Sequence, residues 1–535
     1  MLDQSSSENN GSLHSNGSIN DQADLNSTVA NLVAEDAARI ASIPAIDDPD
    51  PIADEPKIEA PAEKDSTAEA LINLAAECDF WRDDNENGIV TFLCKDHFEN
   101  DLIESRRFSN WLRYLYYAKF KSVCNGEALN QAIATLNAKA LHEGDEKPFP
   151  LRVAEYGESI YIDMADDAWR AIRIDRRGWT IDTNPPVRFR RRKGMRSLPD
   201  PVRGGSLDDM RKYLNIGNDD DWLLLLAWLT SAMRPQGPFA VLIVEGEQGS
   251  AKSTTARFLR SLIDPHVSLL RTEPRDDRDL MISANNSWLL AYDNISRLTN
   301  WLSDGLCRIA TGGGYATREL FTNDAEVFFD AKRPILLNGI VDVATRPDLL
   351  DRSIIMNLPV IPDESRRQEE DIQDGFEADL PKIFGALLDL VSAGLARFDT
   401  IRLQRSPRMA DFARWGSTIG VALGRDVNAF LGAFDRNRIE SNIAGLEASP
   451  VAVALQSFMV DRIEWNDSAS KLLDELSALI GDTDARHRGW PKRPNELGRE
   501  LKRLAPPLRL VGINLHFEKL TKGRFVRIRR TLQVP

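Results

Sequence analysis

A chain of 535 residues is too long for one hydrophobic core, so the sequence predicts several domains. It is 42% hydrophobic and 28% charged with a formal net charge of −15, a balance that excludes fibrous and membrane-spanning classes and favours a soluble protein. The polar N-terminus lacks a signal-peptide pattern, and the apolar stretch 222–233 is too short to span a bilayer. The four cysteines form no CxxC pair, which argues against a zinc site or a disulfide framework and favours the cytoplasm.

Residues 1–66 are predicted to form a disordered acidic tail. They hold 14 acidic and 3 basic residues and no aromatic residue, so they cannot bury enough apolar surface to fold. The opposite end differs in charge, because residues 486–530 hold 14 basic and 3 acidic residues. The basic end is therefore the predicted contact surface for a polyanion.

Residues 67–200 predict a small α+β domain. Helical periodicity marks 68–76, 107–117 and 128–140, and strand patterns mark 88–94, 151–156, 159–164 and 169–174. The domain ends in a basic run, 188–196, for which two interpretations remain open. The run is either a solvated linker edge or a contact with a phosphate backbone.

An α/β pattern occupies residues 205–365. Residues 206–235 are predicted to be helical, and the apolar run 239–244 predicts a strand that is buried on both faces. Strands and helices then alternate, which is typical of a mainly parallel sheet. Residues 366–445 are predicted to form a helical lid or collar, with one helix opening at Asp379 so that Pro381 lies in its first turn.

A glycine-rich segment after the predicted strand gives the strongest functional signal. It precedes an amphipathic helix, which is the context of a phosphate-binding P-loop, and it reads Gly246, Glu247, Gln248, Gly249, Ser250, Ala251, Lys252, Ser253, Thr254. Backbone N–H groups would cradle the phosphates of ATP, Lys252 would contact the β- and γ-phosphates, and Ser253 would bind Mg²⁺. Glycine usually precedes this lysine. Ala251 costs about 1–2 kcal/mol if the position requires a left-handed backbone, and nothing if the backbone is helical.

Two strand ends are predicted to complete the nucleotide site. Asp293 follows an apolar strand, where its carboxylate suits Mg²⁺. Asn294 stands where an acid often orients the attacking water, and an amide is a poor base, which predicts slow turnover or help from another acid. Asn338 ends a later strand, as expected of a γ-phosphate sensor, and the alternative is a turn before Gly339.

Two arginines lie beside a short turn or helix further along. Arg352 is the predicted arginine finger for the ATP of a neighbouring subunit, with Arg346 as the second choice. The alternative is local pairing with Asp348 or Asp351. A finger that acts on a neighbour implies a ring.

The glycine-rich segment, the strand end at Asp293, the strand end at Asn338 and the arginine pair are four elements that follow one another in this order. Together they resemble the AAA+ ATPases of helicase superfamily 3, above all the ATPase domains attached to phage, plasmid and poxvirus primases. The resemblance implies an AAA+ P-loop core and a hairpin that carries a basic residue into the pore of a ring. Residues 311–329 fit that hairpin, with Arg318 as the pore residue and Arg308 or Lys332 as helpers. The alternative is a structural hairpin with a solvent-facing arginine.

The resemblance extends over about residues 70–535, to mobile-element proteins described as ATP-binding proteins or DNA primase-helicases. One departure is visible. The N-terminal domain is short, and its acids Asp163, Asp166 and Asp167 form no clear metal pair, which argues against priming by this chain.

Residues 446–535 predict a basic, winged-helix-like DNA-binding domain. A helix over 490–504 with Asn495 as its cap is followed by strand patterns at 510–515 and 525–528. Helices followed by a hairpin are typical of a winged helix, and the alternative is a basic α+β cap. The predicted DNA contacts are Arg499, Lys502, Arg503, Lys522 and Arg524.

These features together predict an ATP- and Mg²⁺-dependent DNA motor, a homo-oligomeric ring that acts in replication of a phage or mobile element. Its predicted partners are single-stranded DNA in the pore, duplex or single-stranded DNA at the C-terminal domain, and a separate primase or initiator, with no membrane partner. The alternative is a DNA-binding regulatory ATPase with slow, switch-like turnover and no unwinding, suggested by Ala251 and Asn294. A nucleotide sensor in a defence system is a weaker third interpretation.

Overall fold

The computed structural model describes residues 66–296, 298–313, 315–318, 326–329, 332–340, 346–484, 490–520 and 523–531. The acidic tail therefore lies outside the described residues, except for Ser66. The described chain is a mixed α/β structure with several sheets and many helices. Among its helices, none combines the length and the apolar composition that crossing a bilayer requires.

The first unit joins two antiparallel sheets to three helices. Helix α1 (Thr67–Leu74) begins with a capping box between Ser66 and Glu69. A three-stranded sheet follows, with β1 (Asp79–Arg82), β2 (Gly88–Cys94) and β3 (His97–Leu102), and it packs against α2 (Arg106–Phe120) and α3 (Gly126–Glu143).

The second sheet of this unit is a four-stranded meander. Its strands are β4 (Val153–Tyr156), β5 (Ser159–Asp163), β6 (Ala171–Asp175) and β7 (Gly178–Asp182). Strands β4 and β6 begin two residues later than predicted. The reason is that Arg152 and Trp169 have left-handed backbones, with φ of 39° and 54°, which interrupt the extended pattern.

The middle of the basic run is part of the packing of this unit, not a solvated edge. Arg191 pairs with Asp163 at 2.6 Å and lies over the Trp169 ring at 3.9 Å from its centroid. Burial lowers the pKa of Arg190 to about 10. Asp163 is thus engaged by an arginine.

A parallel four-stranded sheet forms the centre of the chain. Its strands are β8 (Val241–Glu245), β9 (Leu290–Ile295), β12 (Ile335–Gly339) and β13 (Ser353–Asn357), and they lie in the order β13-β8-β12-β9. All of β8 is buried, as its continuous apolar pattern predicts for a strand covered on both faces. Because the strands are parallel, their carboxyl ends meet at one edge of the sheet.

Helices surround the central sheet. The predicted helical stretch 206–235 is two helices, α4 (Leu207–Arg211) and α5 (Asp219–Ala232). They are followed by α6 (Lys252–Ile263), α7 (Asp277–Asn286), α8 (Asn300–Thr311) and the short α9 (Pro347–Leu350). Between α8 and β12, strands β10 (Tyr315–Arg318) and β11 (Glu326–Phe329) form an antiparallel pair.

The collar consists of α10 (Glu369–Phe398), α11 (Ala410–Ala422) and α12 (Ala429–Glu447). The prediction that a helix opens at Asp379 was wrong, because Pro381 lies inside the 30-residue helix α10. The upstream turns are held by packing, since Phe376 stacks on Phe258 of α6 with ring centroids 4.0 Å apart. The Pro381 carbonyl finds a partner in the Val202 N–H at 2.9 Å.

A buried ion pair joins the first unit to the central sheet. Arg152 Nε donates to Asp264 Oδ1 at 3.0 Å, and both side chains are at most 1% exposed. The other oxygen of Asp264 accepts the Trp288 N–H at 3.0 Å, and Arg260 lies 4.0 Å away. Burial alone would raise the pKa of Asp264, but Arg152 and Arg260 outweigh that effect and hold the pKa below its usual value.

The described part of the C-terminal unit contains three helices and a three-stranded sheet. In chain order its elements are α13 (Pro450–Met459), β14 (Glu464–Ser468), α14 (Ala469–Asp484), α15 (Pro494–Leu510), β15 (Ile513–Leu520) and β16 (Gly523–Arg530). The strands lie in the order β14-β16-β15. Asn495 is not the cap of α15, because Pro494 occupies the first helical position and Arg493 precedes it. Strand β14 was not predicted, since its sequence carries one large apolar residue, Trp465.

Candidate functional site

The glycine-rich loop, residues 246–251, connects the carboxyl end of β8 to the first turn of α6. Gly246 has φ of 152°, and a Cβ there would lie 2.7 Å from Ser250 Oγ and 2.8 Å from the Leu358 carbonyl. Gly249 has φ of 84°. Ala251 also has a left-handed backbone, with φ 64° and ψ 29°. The alanine therefore does occupy a position that favours glycine, and it bears the associated cost.

Lys252 begins α6 and lies over the glycine-rich loop. Its Nζ donates to the Glu247 carbonyl at 2.6 Å and lies 3.5 Å from Ser250 Oγ. Partial burial lowers the pKa of Lys252, while the nearby Asp293 opposes that shift. An anion at the start of α6 would take over the ammonium contacts and meet free N–H groups of the first helical turn.

Ser253 and Asp293 meet although 40 residues separate them. The Ser253 hydroxyl donates to Asp293 Oδ1 at 3.0 Å. A hydroxyl and a carboxylate are oxygen ligands of the type that Mg²⁺ accepts, and the spacing places both beside Lys252. The residues present therefore fit a magnesium ion.

Asn294 and Asn338 form the next contact along the sheet edge. The Asn294 N–H donates to Asn338 Oδ1 at 2.8 Å, and Asn294 has φ of 56°. Asn338 is 1% exposed, and its Nδ2 has no hydrogen-bond partner among the described residues. A buried amide donor without a partner is costly, so this group is suited to an acceptor that arrives from outside.

Two residues that the sequence analysis missed contact the loop. Asn215 donates through Nδ2 to the Ser250 carbonyl at 3.2 Å and the Pro359 carbonyl at 2.6 Å. A Cβ built on Gly249 would lie 3.0 Å from Arg366 Nη2, so that guanidinium lies against the loop. No spacing rule identifies these residues, because they reach the loop from two separate connecting segments.

Arg352 does not lie with the Lys252 group. It precedes β13, and its carbonyl accepts the Val241 N–H at 2.9 Å, at the amino end of β8. The loop follows the carboxyl end of β8, about 13 Å away at about 3.3 Å per residue. Arg352 Nη1 donates to the Asp348 carbonyl at 2.7 Å. The same chain's loop is thus out of its reach.

Arg346 is held locally. Its Nη1 lies 2.8 Å from both the Asn300 carbonyl and Asp304 Oδ1, and its side chain is 18% exposed. Asp348 is more distant, at 3.9 Å. Arg346 is therefore paired locally, mainly with Asp304, which the stated alternative did not name, and this weakens its candidacy as an arginine finger. The close contact with Asp348 is made by Arg352, through the Asp348 backbone carbonyl.

The predicted pore hairpin corresponds to β10 and β11, in which Arg318 pairs with Glu326 across the strands. The side chain of Arg318 and the connecting residues 319–325 lie outside the described residues. Arg308 and Lys332, the predicted helpers, are both exposed. The position of Arg318 relative to a pore stays a prediction.

The predicted DNA contacts of the C-terminal unit lie on the side of α15 that faces away from its core. Leu497, Leu501 and Leu504 are buried, whereas the Arg499, Lys502 and Arg503 side chains are exposed. In this group Lys502 lies over the Phe517 ring at 5.7 Å, and Arg503 pairs with Glu500 at 2.7 Å. Lys522 and the side chain of Arg524 lie outside the described residues.

Comparison with protein families identifies the chain. The family model of the actinomycete integrative conjugative element replication protein, RepA, matches residues 207–437, and the model of the RepA C-terminal domain matches residues 451–534. Together the two ranges span more than half of the chain. The chain belongs to this family of replication proteins. The glycine-rich loop, Asp293, Asn338 and Arg352 lie within the first RepA range, and α15 lies within the second.

The RepA ranges leave the first unit, residues 66–206, unmatched. No curated protein matches the chain. Among solved structures, the A form apo structure of the NrS-1 C terminal region has a TM-score of 0.38 at 11% identity, covering 86% of this chain and 98% of that chain. A further apo structure of the NrS-1 C terminal region has a TM-score of 0.37 at 11% identity and covers 88% of this chain and 100% of that chain.

Proposed function

We propose that this RepA-family replication protein is an ATP-dependent DNA motor with an AAA+ P-loop core of the helicase superfamily 3 type. The observation that carries the proposal is the convergence of Lys252, the Ser253–Asp293 pair and the Asn294–Asn338 pair at the carboxyl edge of a parallel sheet. In open α/β sheets, ligands bind at this edge. The strand order β13-β8-β12-β9 supports the same core, since the loop-bearing strand lies inside the sheet.

ATP would bind with its phosphates on the glycine-rich loop and the first turn of α6. Lys252 would exchange the Glu247 carbonyl for phosphate oxygens, and Ser253 and Asp293 would hold Mg²⁺, which neutralises charge on the β- and γ-phosphates. The unpartnered Nδ2 of Asn338 would donate to the γ-phosphate. Asn338 would then couple γ-phosphate occupancy to β9, because its Oδ1 already accepts the Asn294 N–H.

Water activation is the weakest part of this site. Asn294 carries an amide and not a carboxylate, so it can orient a water molecule but is a poor base. Slow turnover follows from this residue, and it is the specific observation that favours the second candidate function. That candidate is a DNA-binding regulatory ATPase in which ATP acts as a switch.

A ring is proposed because Arg352 cannot reach the loop of its own chain. An arginine contributed by one subunit to the ATP of the next would complete the charge stabilisation that Lys252 and Mg²⁺ begin. Such a contact needs subunits arranged head to tail, and closure of that arrangement gives a ring. Single-stranded DNA would pass through its pore, contacted by the β10–β11 hairpin.

A second DNA contact is proposed for the C-terminal unit. Its order of helix, strand, two helices and hairpin supports a winged-helix-like domain, with α15 as the groove-binding helix. Arg499 and Lys502 lie on the exposed side of α15 and would contact phosphates or bases. Several hairpin cations are already paired, for example Arg529 with Glu464 at 3.2 Å, which leaves α15 as the main contact.

The test is ATP hydrolysis by the full chain with and without single-stranded DNA, together with mass determination with and without ATP. The motor predicts hydrolysis that DNA stimulates severalfold, abolished in Lys252→Ala and retained in the control Lys139→Ala, an exposed lysine of α3. ATP binding without turnover, with or without DNA, would refute the motor and support the switch. Arg352→Ala is tested in rings that mix variant and wild-type subunits. A wild-type subunit must restore hydrolysis at the ATP site of the neighbouring subunit that its Arg352 faces.

A further inference from the structure

A thiol, an imidazole and a carboxylate meet on the β2–β3 hairpin of the first unit, outside both RepA ranges. Cys94 ends β2 and pairs across the strands with His97, while Glu99 follows two residues later on β3. One ligand atom from each residue lies within 4.8 Å of the other two. The side chains of His97 and Glu99 are each 13% exposed. Strand register therefore brings the three groups together, because residues two apart on a strand share a face.

The spacing suits a tetrahedral zinc ion. His97 Nε2 and Glu99 Oε1 are 3.3 Å apart. In a zinc site, nitrogen and oxygen ligands at about 2.0–2.1 Å from the ion are roughly 3.4 Å apart. A sulfur ligand at about 2.3 Å would lie roughly 3.6 Å from the imidazole nitrogen, which a small rotation of the Cys94 side chain can provide.

Two neighbouring side chains already orient the ligands. Asp96 Oδ1 lies 3.2 Å from His97 Nδ1, which favours a proton on that nitrogen, so Nε2, on the side of Glu99, is the atom that would bind the metal. Arg107 Nη1 donates to Glu99 Oε2 at 2.7 Å and leaves Oε1 towards His97. A carboxylate behind a histidine ligand and a hydrogen bond behind a carboxylate ligand are typical of the outer shell of zinc sites.

We propose that Cys94, His97 and Glu99 bind one Zn²⁺ ion, with Asp96 and Arg107 as positioning residues. Three protein ligands leave a fourth position open to water or an exogenous group.

All three ligands line a cleft of about 690 Å³ whose walls carry both cations, such as Arg192 and Lys193, and acids, such as Asp101, Asp166 and Asp167. Because the ligands line this cleft, its space is available to the group that occupies the open position. The expectation against a zinc site considered only cysteine pairs, and it overlooked that Cys94 is followed by His97 and Glu99 on one hairpin.

The experiment measures Zn²⁺ binding to the tag-free full chain by competition with a chromophoric chelator, and then replaces Zn²⁺ with Co²⁺. We expect one ion per chain and a thiolate-to-cobalt charge-transfer band. Cys94→Ser removes the band, and His97→Ala weakens binding by more than 100-fold. Asp96→Asn, which acts only through the imidazole, weakens binding by about 10–100-fold.

Matched controls separate this site from others in the chain. Cys124→Ser replaces another partly exposed cysteine of the same unit and should bind Zn²⁺ as the wild type does. Asp293→Asn should also bind it, which excludes the proposed magnesium site and makes the result independent of ATP hydrolysis. Thermal unfolding provides a further readout, because a metal bound to the folded state raises Tm in the wild type but not in Cys94→Ser.

Two results would overturn the inference. One is a folded wild-type chain that binds no stoichiometric Zn²⁺. The other is a Co²⁺ spectrum that Cys94→Ser leaves unchanged, which would leave Cys94, His97 and Glu99 as a hydrogen-bonded cluster only.

Discussion

Ala251→Gly is expected to stabilise the protein, although alanine-to-glycine changes usually do the opposite. Ala251 has φ 64° and ψ 29°, a backbone that costs an L-residue about 1–2 kcal/mol and glycine nothing. Part of that gain in stability is lost, because glycine gives the unfolded chain more conformational freedom. This effect lowers the free energy of unfolding by about 0.4–1 kcal/mol. The net expectation is about 1 kcal/mol of added stability, which raises Tm of the central unit by about 2–4 °C.

The assay is thermal unfolding of the full chain, monitored by tryptophan fluorescence. Nucleotide affinity is measured separately. Ala138→Gly is the matched control, because Ala138 is exposed in the interior of α3 and glycine there should destabilise by about 1 kcal/mol. Opposite signs for the two variants support the reasoning. A lower Tm for Ala251→Gly, as in the control, would refute it. An unchanged Tm would contradict it as well, because Ala251 has the strained backbone in this structure.

Three further predictions concern the buried Arg152–Asp264 ion pair, the proposed γ-phosphate contact of Asn338 and the proposed DNA contact of Arg499. Arg152→Met leaves Asp264 buried without its main partner and should destabilise the chain by about 3–5 kcal/mol in denaturant unfolding, whereas Arg176→Met, at an exposed pair, costs less than about 1 kcal/mol. Because Asp264 has a depressed pKa, the stability that it contributes is complete above about pH 4 and is lost as the pH falls further; the destabilisation by Arg152→Met should therefore be largest near neutral pH and become smaller as the pH falls. Asn338→Ala should lower kcat about 100-fold in the hydrolysis assay while ATP binding persists; an unchanged kcat would contradict the proposed γ-phosphate contact. Arg499→Ala should reduce the slope of log affinity for DNA against log salt concentration by about one, and an unchanged slope would exclude a phosphate contact there.

The candidate nucleotide site was the most predictable part of the chain. Strand, glycine-rich loop and helix are local features, and the apolar run before Gly246 and the pattern after Lys252 define them. The sequence also placed Asp293 and Asn338 at strand ends, and parallel pairing brings such ends together without knowledge of any side-chain contact. What the sequence left open at Ala251 was its backbone conformation, since alanine is compatible with both candidate values of φ.

Other features depended on contacts between distant segments. Asn215 and Arg366 reach the loop from separate segments, so no spacing in the chain indicates them. Helix α10 continues through Pro381 because the upstream turns pack on α6, an effect that helix rules based on proline position omit. Asn495 seemed a good cap, but Pro494 at the first helical position decides where α15 begins.

The buried Arg152–Asp264 pair bears on how such proteins exchange parts during evolution. The RepA family range begins at residue 207, so the module before it, which supplies Arg152, lies outside that range. Asp264 lies inside the matched range, however, and its charge is balanced from outside it. Any substitute unit must bring its own cation to the same point, or the recipient must lose the acid at the same time. We therefore expect exchanges of this module to be rare between lineages unless position 264 changes with them.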